Sequence, residues 1–315
     1  MKTLFLFLAL LVGRPEGDPD SLRVLFWNVE NLFDWKADST SKSELEFSSR
    51  GEKHWTKRRF KAKCNAIAKT ILWSGTQDVI GLAEVENRFA LERLLEDTAL
   101  RKMDYQIVHF DSPDRRSIDV ALLYRKSRLE LTSAKPIHLY DADSTLIPTR
   151  DILLAEFRPV GGGRPIAFLV NHHPSQYGGK EVSSARRALA VGKLKFLADS
   201  LRKAGTTRIV SMGDMNDTPA NPVYKTLEPE FINLAEPHHL AGEGTIRFDG
   251  GWEVIDMFFV TPEVHSSPMK ILHPPFLTVQ DKAHGGTKPF RTYSGPRYLG
   301  GVSDHRPIAI KIVYL

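Results

Sequence analysis

Residues 207–217 read TRIVSMGDMND, an apolar run with β-branched residues that ends by delivering Asp214, Asn216 and Asp217 almost side by side. The run has the length and composition of a buried strand. Two explanations compete for its end. Gly, Asn and Asp build sharp turns, because they tolerate unusual backbone angles and bond their own backbone. Asp and Asn oxygens are also the hard ligands that a hydrated magnesium or calcium ion prefers. The stretch GDMND (213–217) alone favours a turn, so the rest of the chain must decide.

Outward from this stretch, further strand-like runs occupy residues 22–28, 78–85, 104–110, 119–125, 151–159, 165–171, 252–260 and 306–314. Helical spacing is clearest at 57–73, 88–97 and 181–203, the last with Ala190, Leu194, Leu197 and Leu201 on one face. Helices that fall between groups of strands, rather than after every strand, predict two packed sheets covered by helices. Gly- and Pro-rich loops lie at 161–165 and 284–301, and no internal repeat or break in composition marks a boundary. Residues 21–315 therefore read as one domain.

The strands share a habit. Asn28 ends the first, Glu84 and Glu86 close the second, and Asn171 and His172 end the run 165–171. Asp214 and Asn216 end 207–214, Asp256 interrupts 252–260, and Ser303, Asp304 and His305 open the last strand. One polar strand end is ordinary turn chemistry. When these strands share a sheet edge, the groups share a cleft of carboxylates, amides and histidines without a thiolate, which is what a divalent metal and a phosphate ester require.

The 315-residue chain, 42% hydrophobic and 26% charged, has the composition of a globular protein with a sizeable core. Lys2 followed by TLFLFLALLV reads as the basic and apolar regions of a signal peptide ending near residue 20, too short to span a bilayer. The expected location is thus outside the cytoplasm, periplasmic or secreted. A single cysteine, Cys64, excludes an intramolecular disulfide and a cysteine-rich zinc site. The net charge of +5 suits a polyanionic partner. The densest basic run, 52–63, falls on a helix whose core positions are Phe60, Cys64, Ile67 and Ile71, which predicts that its lysines and arginines face solvent.

The ordered stretches NVEN (28–31), AEVEN (83–87), DVALLY (119–124), NHHPS (171–175), GDMND (213–217), IDMFF (255–259) and SDHRP (303–307) resemble the endonuclease/exonuclease/phosphatase superfamily. This is the fold of pancreatic deoxyribonuclease, and the resemblance covers residues 22–314. The NHxPS and GGVSDH stretches are most similar to its secreted bacterial branch. The resemblance implies an α/β protein, a four-layer α/β/β/α sandwich, and cleavage of phosphoester bonds that depends on magnesium or manganese.

Carried over residue by residue, the resemblance makes Glu84 the principal metal ligand, with Asn28 holding metal and phosphate and Asp304 completing the shell. Asp214 and Asn216 would position the attacking water and the phosphate oxygens. His305 would serve as base or phosphate clamp, oriented by Asp256, and His172 would face the scissile phosphate. Asn171 competes with His172 for that substrate contact, and His173, one residue on, would point to the other sheet face. Glu30 departs from the family pattern, where Asp or Arg stands. Arg116 in RRSID (115–119) and the basic and aromatic residues of 288–301 are candidate substrate contacts, whereas His54, His109, His138 and His284 read as packing or surface histidines. Charge favours a nucleic-acid substrate. The alternatives are sphingomyelin, inositol phosphates or another small phosphoester, or a non-catalytic binding module on the same scaffold. A monomer without membrane insertion is expected.

Overall fold

The computed structural model describes residues 21–36, 41–175 and 180–313. The signal peptide expected over residues 1–20 lies outside them.

The first sheet is built on β1 (Ser21–Leu32), which pairs in parallel with β2 (Val79–Val85). Beyond β2 run β4 (Asp119–Arg125) and the edge strand β3 (Tyr105–His109). The second sheet has the order β5 (Leu129–Ile137), β6 (Ile152–Pro159), β7 (Ile166–His172), β8 (Arg208–Asp214), β12 (Asp256–Val260) and β9 (Ile232–Asn233). There β7 and β8 are parallel, and β12 runs antiparallel to β8. A small hairpin, β10 (Ile246–Phe248) with β11 (Gly251–Glu253), precedes β12. The short β13 (His265–Ser266) and β14 (Lys270–Ile271) both pair with the last strand of the first sheet. Two more hairpins, β15 (Thr278–Gln280) with β16 (Thr287–Pro289) and β17 (Tyr293–Ser294) with β18 (Arg297–Tyr298), lead to β19 (Ile308–Val313), which returns beside β1.

The period of two along β1 explains the layers. Leu22, Val24 and Phe26 pack against the second sheet with Phe168, Val170 and Met212, while Leu25, Trp27 and Val29 pack under the helices. Gly81 lies where the sheets approach closely: an added Cβ would sit 3.0 Å from both Met212 Sδ and the Phe26 ring. The outer face of the first sheet is covered by α2 (Lys57–Trp73) and α3 (Arg88–Glu96) through Phe60, Ile67, Ile71, Leu91 and Leu94, following the short α1 (Lys42–Glu46). Asn87, last residue of the AEVEN stretch, starts α3 by accepting a hydrogen bond from the Ala90 N–H at 2.8 Å. Ala190, Leu194, Leu197 and Leu201 of α4 (Lys180–Lys203) are buried against the second sheet, as their spacing predicts. The short α5 (Glu236–Leu240) completes the helices. The result is the expected four-layer α/β/β/α sandwich, and no helix among the described residues is long and apolar enough to cross a membrane.

Three local expectations change. Strand β5 was not foreseen, because its edge position leaves most of LELTSAKPI half-buried or exposed and erases the alternation. The run 252–260 is two strands, β11 and β12, broken at Val254 and Ile255. Lys63 does not face solvent: it is 2% exposed, since it follows Phe60 by three residues and so shares the buried face of α2.

Candidate active site

Parallel pairing sets the site. The C-terminal ends of β1, β2, β7 and β8 lie at one edge of the sandwich, and the antiparallel β4, β12 and β19 begin there. Asn28, Glu84, His172, Asp214, Asp256 and His305 thus converge from both sheets.

Asp214 Oδ2 is the centre of this group. It accepts a hydrogen bond from Asn28 Nδ2 at 2.9 Å and lies 3.6 Å from His172 Nε2 and 3.8 Å from His305 Nε2. On the other ring nitrogen, His305 Nδ1 meets Asp256 Oδ2 at 2.8 Å, and Asp256 is fully buried. The ladder places Asp256 directly opposite Asp214. The loop before β19 is tied to β1 twice, by Ser303 Oγ donating to the Asn28 carbonyl and Trp27 Nε1 donating to the His305 carbonyl, and is braced within itself by the His305 N–H donating to Ser303 Oγ.

Burial and charge separate the titrations. Burial raises Asp214 to about 7, with Asp256 adding to the rise and His305 opposing it. His305 is pulled down by burial, but Asp256, Asp214 and Asp304 outweigh that and hold it well above the ordinary imidazole value. His172 is driven well below it by burial, with Arg150 and Arg116 adding to the effect. The site therefore presents an imidazolium at His305, a neutral imidazole at His172, and between them a carboxylate poised to gain a proton near neutral pH.

A second set of carboxylates, Glu84, Glu30 and Asp304, pairs with Arg116 and Arg291. Glu84 Oε2 accepts the Asn31 N–H at 2.9 Å, and Glu84 Oε1 lies 4.0 Å from His172 Nε2. Arg116, expected as a substrate contact, reaches this cluster: its Nη2 is 2.9 Å from Asn31 Oδ1 and 3.6 Å from Glu84 Oε1. Arg291 pairs with Glu30 Oε1 at 3.5 Å and Asp304 Oδ2 at 3.1 Å. Burial raises Glu30 to about 7, and Asp304 adds to that rise. Glu30, Asn31, Glu84 and Asn216 all have positive φ (51°, 55°, 63° and 51°), an unfavourable region for residues with a Cβ. The first three lie in bulges of β1 and β2, which re-aim side chains out of the sheet and into the cleft. Strain of this kind, roughly 1–3 kcal/mol per residue, persists where surrounding structure enforces it and clusters at functional sites.

Some sequence-expected residues are used differently. Asn171, expected as a substrate contact, is fully buried and directs its amide to the Leu169 and Met212 carbonyls and Ser211 Oγ. This occupies the space beside Gly213, where a Cβ would stand 2.4 Å from the Asn171 carbonyl oxygen, so packing rather than turn geometry requires that glycine. Asn28 donates to Asp214 and accepts the Glu30 N–H on Oδ1 at 2.9 Å, which leaves one lone pair on Oδ1 for a cation or phosphate. Asn216 takes its N–H from the turn to Asp214 Oδ1 and sends Nδ2 to the His173 carbonyl. Asp217 turns away to Arg187 of α4 at 3.0 Å. His173 is buried away from these groups, and burial pushes it down to about 3. Sequence reading missed Lys63, Arg150 and Thr292, and it held Arg291 only as one of the basic and aromatic residues of 288–301. Only Lys63 left a signal, its position on the core face of α2.

Among the described residues, two groups of three ligand-type side chains come within 4.8 Å of one another: Asp214, Asp256 and His305, and separately His109, Asp111 and Asp119. The expected ligands Glu84 and Asp304 belong to neither, each being paired with an arginine. Their oxygen donors, with those of Glu30 and Asn28 and no thiolate, fit a hard divalent ion.

The fold is a mixed four-layer sandwich with histidines, carboxylates and amides gathered at one edge. The profile of the Endonuclease/Exonuclease/phosphatase family matches residues 23–314, and the chain belongs to that family, whose enzymes depend on a divalent metal. It is 23% identical over 247 residues to Nocturnin of Xenopus laevis, spanning 75% of this chain and 58% of that protein. Its fold is similar to that of an endonuclease/exonuclease/phosphatase family protein from Bacteroides thetaiotaomicron, with a TM-score of 0.60, 16% identity and coverage of 94% and 98% of the two chains. The human Nocturnin catalytic domain with bound sulfate is similar at a TM-score of 0.59, with 15% identity and coverage of 94% and 95%.

Proposed function

We propose that this protein is an exported, Mg²⁺- or Mn²⁺-dependent phosphodiesterase that hydrolyses nucleic acid. The observation that carries the reading is Asp214 Oδ2, set between His172 Nε2, His305 Nε2 and Asn28 Nδ2. Glu84, Asp304 and Asn28 would hold the ion, which when bound offsets phosphate charge and polarises the P–O bond.

The chain's own groups supply the rest. Asp214, near neutral in its titration, accepts the proton of the attacking water as the new P–O bond forms and the P–O bond to the leaving group breaks, the departing oxygen taking its proton from solvent. Imidazolium His305, oriented by Asp256, donates Nε2–H to a phosphate oxygen on which charge builds. Neutral His172, in the tautomer protonated on Nε2, directs a second donor at the same phosphate. Asn28 fixes the Asp214 carboxylate between them. The half-exposed Arg116 and Arg291 at the cleft, with the net charge of +5, favour a polyanionic substrate.

The test incubates purified protein with Mg²⁺ or Mn²⁺ and a panel of duplex DNA, single-stranded DNA, RNA, sphingomyelin and inositol phosphates. Hydrolysis of nucleic acid that stops in EDTA is expected. Turnover of the lipid or the inositols alone refutes the substrate assignment, and turnover in EDTA refutes the metal. Export is checked by N-terminal sequencing of the mature protein, where an intact Met1 would contradict it.

A further inference from the structure

An ammonium rarely stays inside a protein unless its hydrogen bonds and its charge are both answered. Lys63 is 2% exposed, on the face of α2 that carries Phe60, Cys64 and Ile67, with the Trp55 ring 6.0 Å from its Nζ. Burial lowers it to about 8, against the pull of Glu30, Glu84 and Asp304. Among the described residues, none of its hydrogen bonds goes to a carboxylate oxygen. Nζ donates instead to the Glu30 carbonyl and, at 2.7 Å, to Thr292 Oγ1.

Those two acceptors are the ends of a chain of contacts. Thr292 returns its N–H to Glu30 Oε2 at 2.7 Å, and its hydroxyl donates to the Val302 carbonyl at 2.9 Å, next to the Ser303–Asp304–His305 segment. The Glu30 carbonyl belongs to the peptide whose N–H is that of Asn31, and that N–H bonds Glu84 Oε2 at 2.9 Å. One ammonium thus grips the strained turn formed by Glu30 (φ 51°) and Asn31 (φ 55°) and joins it to the loop that leads to Asp304.

We infer that Lys63 is a positioning residue for the metal ligands: it fixes the Glu30–Asn31 peptide so that Asn31 aims Glu84, and it couples that peptide to the Asp304 loop. The inference rests on the assignment of Glu84 as a metal ligand made above. It has an unusual sign. A lysine acting here only as a charge would repel a cation, so its removal would tighten metal binding. A lysine acting as a positioner has the opposite effect, because displaced ligands bind more weakly.

The test titrates the full-length mature protein with Mn²⁺ and reads free Mn²⁺ by its EPR signal, with thermal midpoints recorded in the absence of metal. Lys63→Met keeps the buried volume and deletes the ammonium. It is expected to weaken Mn²⁺ binding about 10- to 100-fold, the range found when groups that orient metal ligands are removed. Thr292→Val, which deletes one acceptor and keeps its shape, is expected to weaken binding in the same direction by less, and it decides the matter should Lys63→Met not fold. Unchanged or tighter Mn²⁺ binding in the folded variants overturns the inference. Glu84→Gln separates the two levels. Weaker binding there, with Lys63→Met unchanged, sinks the role of Lys63 alone, whereas no effect of Glu84→Gln overturns the metal assignment and the inference together.

Discussion

Replacing Asp256 by Asn removes one charge and leaves the shape of the His305 support intact. The Asn side chain turns its Oδ1 towards His305 Nδ1, in place of the carboxylate oxygen now 2.8 Å away. Both residues are buried, so little solvent screens the loss. A hydrogen bond to a charged group contributes about 1.5–3 kcal/mol, which at about 1.4 kcal/mol per decade predicts a fall in kcat/KM of roughly 10- to 150-fold. The pH profile carries the sharper expectation. The His305 pKa is held above its ordinary value chiefly by Asp256 and Asp214 against burial, so the imidazolium is present below that pKa and is lost as pH rises through it. Without the Asp256 charge the pKa falls, and the alkaline limb of activity moves to lower pH. Initial rates on a chromogenic phosphodiester, with saturating Mn²⁺ from about pH 5.5 to about pH 9, measure both effects. The reasoning is refuted by a loss that is uniform across this range, or by an alkaline limb that stays in place. His305→Ala should cost more than Asp256→Asn, since it removes the donor itself.

Two further outcomes follow from the geometry. His173 is predicted to govern acid stability and to leave catalysis alone: with its pKa pushed down to about 3, the unfolded chain binds an extra proton between about pH 6.5 and about pH 3. Stability is then full above the unfolded value and falls as pH drops through that window, by up to about 1.4 kcal/mol per pH unit. His173→Leu should flatten this slope in urea midpoints measured at successive pH values, and an unchanged slope contradicts the assignment. Arg116→Ala should raise KM about tenfold with a smaller change in kcat, as expected for a cleft-edge guanidinium that binds phosphate without joining the proton transfers. A fall in kcat at constant KM would place Arg116 in the chemistry instead.

Local pattern carried much of this molecule. The strand runs at 22–28, 165–171 and 207–214 and the helical stripe of Ala190, Leu194, Leu197 and Leu201 were legible because a side chain's face depends on its neighbours within a few residues. So was the set of Asn28, Glu84, His172, Asp214, Asp256 and His305, because each borders an apolar run, where a polar group is conspicuous. Tertiary structure decided what those groups touch. Asn171 looked as available as His172, but the parallel pairing of β7 and β8 sends its amide to Ser211 and leaves His172 beside Asp214. Lys63 read as one more basic residue of a solvated face until the Glu30 carbonyl closed over it. Arg291 and Thr292 lay in a loop with no periodicity to read, and they meet Glu30 across 262 and nearly as many residues of chain. Periodicity reports which way a residue faces on its own element. Which distant carboxylate, carbonyl or ammonium waits on that side is set only when the sheets stack and the bulges of β1 and β2 turn their residues into the cleft.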